Sequence, residues 1–129
     1  MKQIIIDTNM LMAAAQFKTD IFSEIERVCL FNYGVCAVGK TIDELERIME
    51  LQKGKHRAAA KMALSLVKAH KVRKIADDEI AGSVDDIILR IADKEKHIVA
   101  TQDRELKRKL KEMGIPVIIL RQKKHLIFA

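Results

Sequence analysis

The fold of this chain is decided by the stretch Ile4-Ile5-Ile6-Asp7-Thr8-Asn9, near the start of the sequence. A continuous apolar run followed at once by polar residues is typical of a buried strand that leads into a helix. An acid at the end of such a strand has little value as a helix cap when Thr8 and Asn9 come next. We therefore interpret Asp7 as a functional residue.

The rest of the chain alternates between apolar runs and amphipathic segments. Further strands are predicted at residues 35–38, 72–76, 97–101 and 116–120, with a short one at 126–128. Helices are predicted from about residue 9 and at about 20–30, 41–50, 55–70, 83–94 and 103–113. This alternation predicts an α/β fold, a three-layer α/β/α sandwich with a central, mainly parallel sheet of about five strands.

Composition limits the class of protein. The chain has 129 residues, 49% of them hydrophobic, without a linker-like or repeated segment, so one domain over residues 1–129 is expected. The apolar run at the start is too short for a signal peptide and no run approaches membrane-spanning length, so we expect a cytoplasmic protein without a membrane partner. Cys29 and Cys36 are expected to be buried thiols. The scattered histidines are interpreted as surface or satisfied core residues; they are His56, His70, His97 and His125.

Basic residues are concentrated in two blocks. Residues 53–74 contain eight Lys or Arg and no acid, and residues 104–124 contain eight against two glutamates, whereas the whole chain has a net charge of +6. An acidic centre between basic surfaces suits a polyanion held against a metal site, although solvated helix faces produce the same pattern. The candidate contacts to an RNA backbone are Arg57, Lys61, Lys68, Arg104, Lys107 and Arg108.

Four acids are predicted to meet at one edge of the sheet. Asp7 ends the first strand and Asp103 lies just past the strand at 97–101, whereas Glu44 and Asp85 fall in the first turns of helices. Ligands of open parallel sheets bind outside the carboxyl ends of the strands. If the two helices start at that edge, the four carboxylates converge in one crevice.

Helix capping is the main alternative for these acids. Glu44 is the last residue of a Thr-x-x-Glu capping box, which explains it as well as a site does. Asp86 closes a Ser-x-x-Asp box of the same kind, which leaves Asp85 without a structural duty. Asp103 precedes a helix and fits an N-cap.

The conjunction of the acids favours a metal site. Carboxylates gathered without a lysine or arginine repel one another, an arrangement tolerated mainly when a divalent cation neutralises it. Oxygen ligands suit Mg²⁺ or Mn²⁺, either of which can activate water for phosphodiester hydrolysis without a nucleophilic side chain. The chain accordingly has no Gly-rich phosphate loop and no serine-nucleophile motif.

Four blocks in order resemble the PIN-domain ribonuclease family. They are residues 4–9, 43–45, 85–92 and 99–106. The resemblance covers nearly the whole chain, and its register makes Asp85, rather than Asp86, the acid of the third block. It implies an α/β/α fold, Mg²⁺- or Mn²⁺-dependent endoribonuclease activity that leaves 5′-phosphate ends, and frequent homodimerisation.

We hypothesise the following roles for these residues. Asp7 and Asp85 would bind the principal cation, with Glu44 and Asp103 completing its shell or recruiting a second ion. Accessory residues that would orient carboxylates or water are Asn9, Thr101 and, with capping as its main duty, Asp86.

Several functions stay open. The basic tail is most similar to the rRNA-processing branch of the family, which implies a ribosome-assembly partner, and the VapC toxin branch, with a small antitoxin, is close behind. A non-catalytic RNA-binding protein would be favoured by an incomplete acid set, whereas this set is complete. An aspartyl phosphatase or a phosphoacceptor receiver shares the fold class, but the phosphatase requires a second acid where this chain has Asn9.

Overall fold

Helices and strands alternate along almost the whole chain in the computed structural model, which describes residues 1–129. The strands are β1 (Lys2–Ile6), β2 (Tyr33–Val38), β3 (Arg73–Ile75), β4 (His97–Ala100), β5 (Val117–Arg121) and β6 (His125–Phe128). The helices are α1 (Thr8–Phe17), α2 (Ile21–Val28), α3 (Gly39–Leu51), α4 (Gly54–Ala69), α5 (Val84–Ile91) and α6 (Arg104–Glu112).

The six strands form one sheet in the order β3-β2-β1-β4-β5-β6. All neighbours are parallel except β5 and β6, which form an antiparallel hairpin through a turn in which Gln122 and Lys123 adopt positive φ. The predicted α/β fold with a mainly parallel sheet is confirmed, and the short segment at the end of the chain adds a sixth strand to the five expected.

Strand β1 lies at the centre of the sheet and is buried, as its apolar sequence predicts. Ile4, Ile5 and Ile6 are all 0% exposed. Ile4 and Ile6 pack into the core on the side of α1, α3 and α4, whereas Ile5 packs with residues of α5 and α6 on the opposite side. The alternation of side chains along one strand therefore connects both helical layers.

Two helix boundaries differ from the sequence prediction. Helix α3 begins at Gly39 instead of Thr41, because the backbone N–H of Lys40 donates to Asp77 Oδ2 at 2.9 Å and fixes the first turn against the loop after β3. Helix α5 ends at Ile91 instead of residue 94, where Ala92 returns to extended backbone. Both differences depend on backbone conformation or on a hydrogen-bond partner distant in sequence, and the spacing of apolar residues reveals neither.

Two other expectations concern the cysteines and the membrane. Cys29 and Cys36 are buried free thiols, as expected, and burial raises the pKa of Cys36 to about 11. None of the helices combines the length and the apolar character that crossing a membrane requires.

The open edge of β6 is covered by two side chains of α2. Glu24 Oε1 accepts a hydrogen bond from the Leu126 N–H at 3.0 Å, and Arg27 Nη2 donates to the Leu126 carbonyl at 2.9 Å. The same two side chains form an ion pair at 2.9 Å. They take the place of a neighbouring strand on an edge that would otherwise present unpaired backbone groups.

We expect Glu24→Ala to lower the free energy of unfolding by about 1 to 2 kcal/mol, because the charged acceptor of the Leu126 N–H is lost. Urea denaturation measures the change. Glu26→Ala is the matched control, since Glu26 is exposed on the same helix and the helix propensity changes equally.

The contribution of Glu24 depends on pH. The Arg27 guanidinium, the Leu126 N–H and His125 lower the pKa of this carboxyl from 4.5 to about 2 in the folded protein. The stabilisation is therefore complete above pH 4.5 and is lost as the pH falls towards 2. A difference between wild type and Glu24→Ala that grows on acidification would contradict this assignment.

Candidate active site

Asp7 lies where β1 turns directly into α1. Its side chain is 2% exposed, Oδ1 accepts from the Thr8 N–H at 2.8 Å, and Oδ2 accepts from the Thr101 hydroxyl at 2.7 Å. The expectation that Asp7 has no capping role is wrong, since it is the N-cap of α1. Burial raises its pKa, and the two hydrogen bonds oppose that effect.

Thr101 connects Asp7 to the end of β4. It is completely buried, and its Oγ accepts from the Asp103 N–H at 3.1 Å. Asn9 Oδ1 accepts from the Gln102 N–H at 3.0 Å, so the first turn of α1 also holds this segment. The structure thus places the predicted accessory residues Asn9 and Thr101 beside the carboxylate of Asp7.

Gln102 is a structural residue of the site that the sequence pattern did not indicate. Its Oε1 accepts from the Leu120 N–H at 2.7 Å, and its Nε2 donates to the Leu120 carbonyl at 3.3 Å. These two bonds join the segment between Thr101 and Asp103 to β5. Only its position between two predicted site residues could have drawn attention to it.

Asp85 and Asp86 differ in their capping role, as the sequence predicts. Asp86 forms a reciprocal capping box with Ser83, through bonds of 3.0 and 3.2 Å, whereas Asp85 has no capping bond. Partial burial raises the pKa of Asp85 to about 6, and the charges of Asp7 and Asp103 add to the effect.

Asp103 is the N-cap of α6, as the alternative reading proposed. Its Oδ1 accepts from the Leu106 N–H at 2.9 Å. Because its charge also raises the pKa of Asp85, capping and membership of the acidic cluster coexist in one side chain.

Glu44 does not belong to a capping box. Helix α3 has no side-chain cap, and the hydroxyl of Thr41 instead accepts a hydrogen bond from the Thr8 hydroxyl at 3.0 Å. Glu44 therefore lies in the second turn, not the first as expected. Partial burial raises the pKa of Glu44, the charge of Lys40 lowers it, and the charge of Asp85 raises it further.

A crevice of about 560 Å³ opens between helices α1, α3, α4 and α5, at the end of β1. The polar side chains that matter for its chemistry are Asp7, Asn9, Glu44, His56, Ser83 and Asp85. Three of the four predicted acids line it directly, and Asp103 is near enough for its charge to raise the pKa values of Asp7 and Asp85. No lysine or arginine lines the crevice itself, and the charge of Lys40 reaches Glu44 from outside it.

The donor set fits a hydrated divalent cation. No three of the acidic, histidine and cysteine side chains stand close enough together to enclose an ion. Mg²⁺ usually keeps several waters and binds through one or two carboxylates, so full enclosure is not required. Asp7 and Asp85, which face the same crevice and whose pKa values are both raised by burial and by neighbouring acids, provide such oxygen ligands.

The predicted RNA contacts lie outside the crevice, on two helices. Arg57, Lys61 and Lys68 are exposed on α4, whereas Arg104, Lys107 and Arg108 belong to α6. Arg108 differs from the other five because its guanidinium forms ion pairs with Glu105 and Glu112. Its charge is therefore compensated within α6.

The structure brings one histidine to the crevice that the sequence interpretation had assigned to surface or core. His56 is exposed and lines the crevice from the first turn of α4. A signal was present in the sequence, because His56 precedes Ala59, Ala60 and Ala63 at helical spacing, and these three alanines are buried.

Comparison with known proteins identifies similar chains. Residues 4–123 match the family model of the PIN-like domain. Ribonuclease VapC4 of Methanocaldococcus jannaschii is 38% identical over 128 residues, which cover 97% of this chain and 95% of that protein. Ribonuclease VapC9 of Archaeoglobus fulgidus is 33% identical over 120 residues, which cover 93% and 84% respectively.

Solved structures share the fold. The PIN domain endonuclease Utp24 superposes with a TM-score of 0.79 at 23% identity. The superposition covers 98% of this chain and 90% of the Utp24 chain. A domain of a functionally unknown protein from Methanocaldococcus jannaschii superposes with a TM-score of 0.62 at 17% identity, covering 94% and 92%. At such low identity these likenesses concern the fold alone.

We expect Asp85→Asn to stabilise the metal-free protein at pH 7 by about 1 to 2 kcal/mol, because it removes a carboxylate whose ionisation is disfavoured. The pKa of about 6 in the folded protein exceeds the ordinary value of 3.8. The increase in the free energy of unfolding is therefore complete above pH 6 and disappears below pH 4. Urea denaturation in EDTA at pH 4 and pH 7 measures it.

Asp86→Asn is the matched control for this substitution. It removes an acid from the adjacent position, but one whose carboxylate accepts the Ser83 N–H, so it should destabilise the protein at pH 7. Destabilisation of both variants at pH 7 would contradict the conclusion that burial and neighbouring carboxylates disfavour the ionisation of Asp85.

Proposed function

Because the chain belongs to the PIN-like domain family, we propose that it is an endoribonuclease that hydrolyses RNA phosphodiester bonds with the help of Mg²⁺ or Mn²⁺. The observation that carries this proposal is the crevice lined by Asp7, Glu44 and Asp85 without a lysine or arginine. An enzyme with such a crevice needs no nucleophilic side chain, since water can be the attacking group.

Asp7 and Asp85 are the residues that would hold the cation, and Glu44 and Asp103 would complete its surroundings. When bound, the cation would neutralise the carboxylates, lower the pKa of a coordinated water and stabilise charge on the phosphate. The chain's own contribution is the fixed position of the acids. Thr101 donates to Asp7 and so orients its carboxylate, while Asp86 keeps the first turn of α5 in place.

The basic helix surfaces would hold the RNA backbone. Phosphate contacts from lysine and arginine supply affinity and register without reading bases. Lys61 on α4 and Lys107 on α6 are partly or fully exposed and take part in no ion pair, whereas Arg108 is held by two glutamates. We therefore assign less of the RNA affinity to Arg108 than to its neighbours.

The relatives favour one biological role over another. Both curated relatives above 30% identity are named VapC ribonucleases and span nearly the same length as this chain. A VapC-type toxin, controlled by a small antitoxin, is therefore better supported than rRNA processing, because the likeness to the endonuclease Utp24 concerns the fold alone. A homodimer and a cytoplasmic location remain part of this proposal.

We expect Asp7→Asn, Glu44→Gln and Asp85→Asn each to lower the rate of RNA cleavage about 100-fold or more, because each removes a charge from the crevice. Cleavage of single-stranded and hairpin RNA in Mg²⁺ or Mn²⁺, with EDTA as the metal-free reference, measures the effect. Glu46→Gln is the matched control, since Glu46 is exposed two residues after Glu44. Activity that survives in both aspartate variants would exclude this site.

We expect Lys61→Glu or Lys107→Glu to weaken RNA binding and to lower the slope of log K against log salt by about one, because fewer counterions are released. Fluorescence anisotropy across a salt titration measures both quantities. Lys96→Glu is the control, since Lys96 immediately precedes β4 and so lies at the opposite edge of the sheet from the crevice. Equal effects of all three substitutions would show that the basic blocks act through the overall positive charge of the protein and not through direct contacts with RNA phosphates.

A further inference from the structure

The position of α4 is set by three small residues. Ala59, Ala60 and Ala63 are buried, and Ala60 and Ala63 belong to the core that α1 and α3 share. Helices meet closely where their contact residues are small. The alanines therefore hold the start of α4 beside the carboxyl edge of the sheet.

His56 lies one turn before this alanine stripe, on the same face of the helix. Residues three and four apart share a helix face, so the face that packs on α1 and α3 at Ala60 and Ala63 continues to His56. At that point the core has ended and the acidic crevice begins, which is why an exposed side chain lines the crevice together with Asp7 and Asp85.

His56 is chemically unlike the other residues of the crevice. Its wall contains three carboxylates, several neutral polar groups and apolar side chains, and His56 is the only member that can carry a positive charge. A phosphate that approaches the carboxylates thus meets an imidazole N–H donor inside the crevice, on the wall that α4 contributes.

We propose that His56 contacts the substrate directly, by donating a hydrogen bond to a phosphate oxygen of the RNA held in the crevice. This inference rests on the proposed ribonuclease function. It divides the phosphate contacts into two groups, because the lysines and arginines of α4 and α6 lie outside the crevice and would bind the flanking backbone, whereas His56 would bind the phosphate next to the acids.

The test measures binding and cleavage separately. RNA affinity is determined by fluorescence anisotropy with Asp7→Asn protein, in which cleavage is blocked, with and without the added substitution His56→Ala. We expect His56→Ala to weaken binding about tenfold and, in otherwise wild-type protein, to raise KM by a similar factor with kcat changed less, because one bond to a charged group is lost. His56→Gln, which keeps an N–H donor, should restore part of the affinity.

His70→Ala is the matched control. It removes the same side chain from the opposite end of α4, where His70 stacks on Phe22 with the ring centroids 3.8 Å apart, outside the crevice. RNA affinity and KM should stay at their wild-type values. As a direct readout, the imidazole NMR signals of His56 should shift on addition of RNA, whereas those of His97 should not.

The outcomes separate this inference from the proposed function. If wild-type protein cleaves RNA and His56→Ala binds and cleaves equally well, His56 is not a substrate contact and the ribonuclease assignment stands. If no RNA is cleaved but His56→Ala still weakens binding, the contact stands and the catalytic assignment fails. Loss of Mn²⁺ affinity in His56→Ala with unchanged RNA affinity would make His56 a metal ligand and overturn the proposal.

Discussion

The hydrogen bond from the Thr101 hydroxyl to Asp7 Oδ2 is the interaction on which the site depends. It joins the carboxyl ends of β1 and β4, the two central strands between which the strand order reverses. A carboxylate as buried as that of Asp7 is tolerated only when its oxygens have partners, and Thr101 and the Thr8 N–H supply them. The apolar core below can therefore be complete while an acid is held at its upper end.

The topology of the sheet explains why the acids collect at this place. The chain leaves β1 towards β2 and β3 on one side and returns to β4 and β5 on the other, so the connections diverge above β1. Helices from both layers begin around the resulting gap. Asp85 approaches from α5 and Glu44 from α3, and their raised pKa values reflect burial among like charges. Such a cluster reduces the stability of the metal-free protein and suits a cation-dependent reaction.

Capping and function are combined in the same side chains. Asp7 and Asp103 each accept a backbone N–H at the start of a helix and also take part in the acidic cluster. A cap fixes the carboxylate as firmly as it stabilises the helix, so the structural role positions the functional group. Only Asp86 is confined to capping, because its carboxylate turns back to Ser83. For Asp103, the choice between cap and site that the sequence posed therefore does not apply to the folded protein.

Local patterns in the sequence were sufficient for the fold class, the burial of β1 and the capping role of Asp86 as distinct from Asp85. Burial of three consecutive isoleucines and a four-residue capping box depend on neighbouring residues, which the sequence displays directly. Other features depend on residues far apart in the chain. The start of α3 requires Asp77, the position of Gln102 requires Leu120, and the entry of His56 into the crevice requires the packing of α4 on α1 and α3. Tertiary structure alone decided these, because no local periodicity records which distant side chain will be the partner.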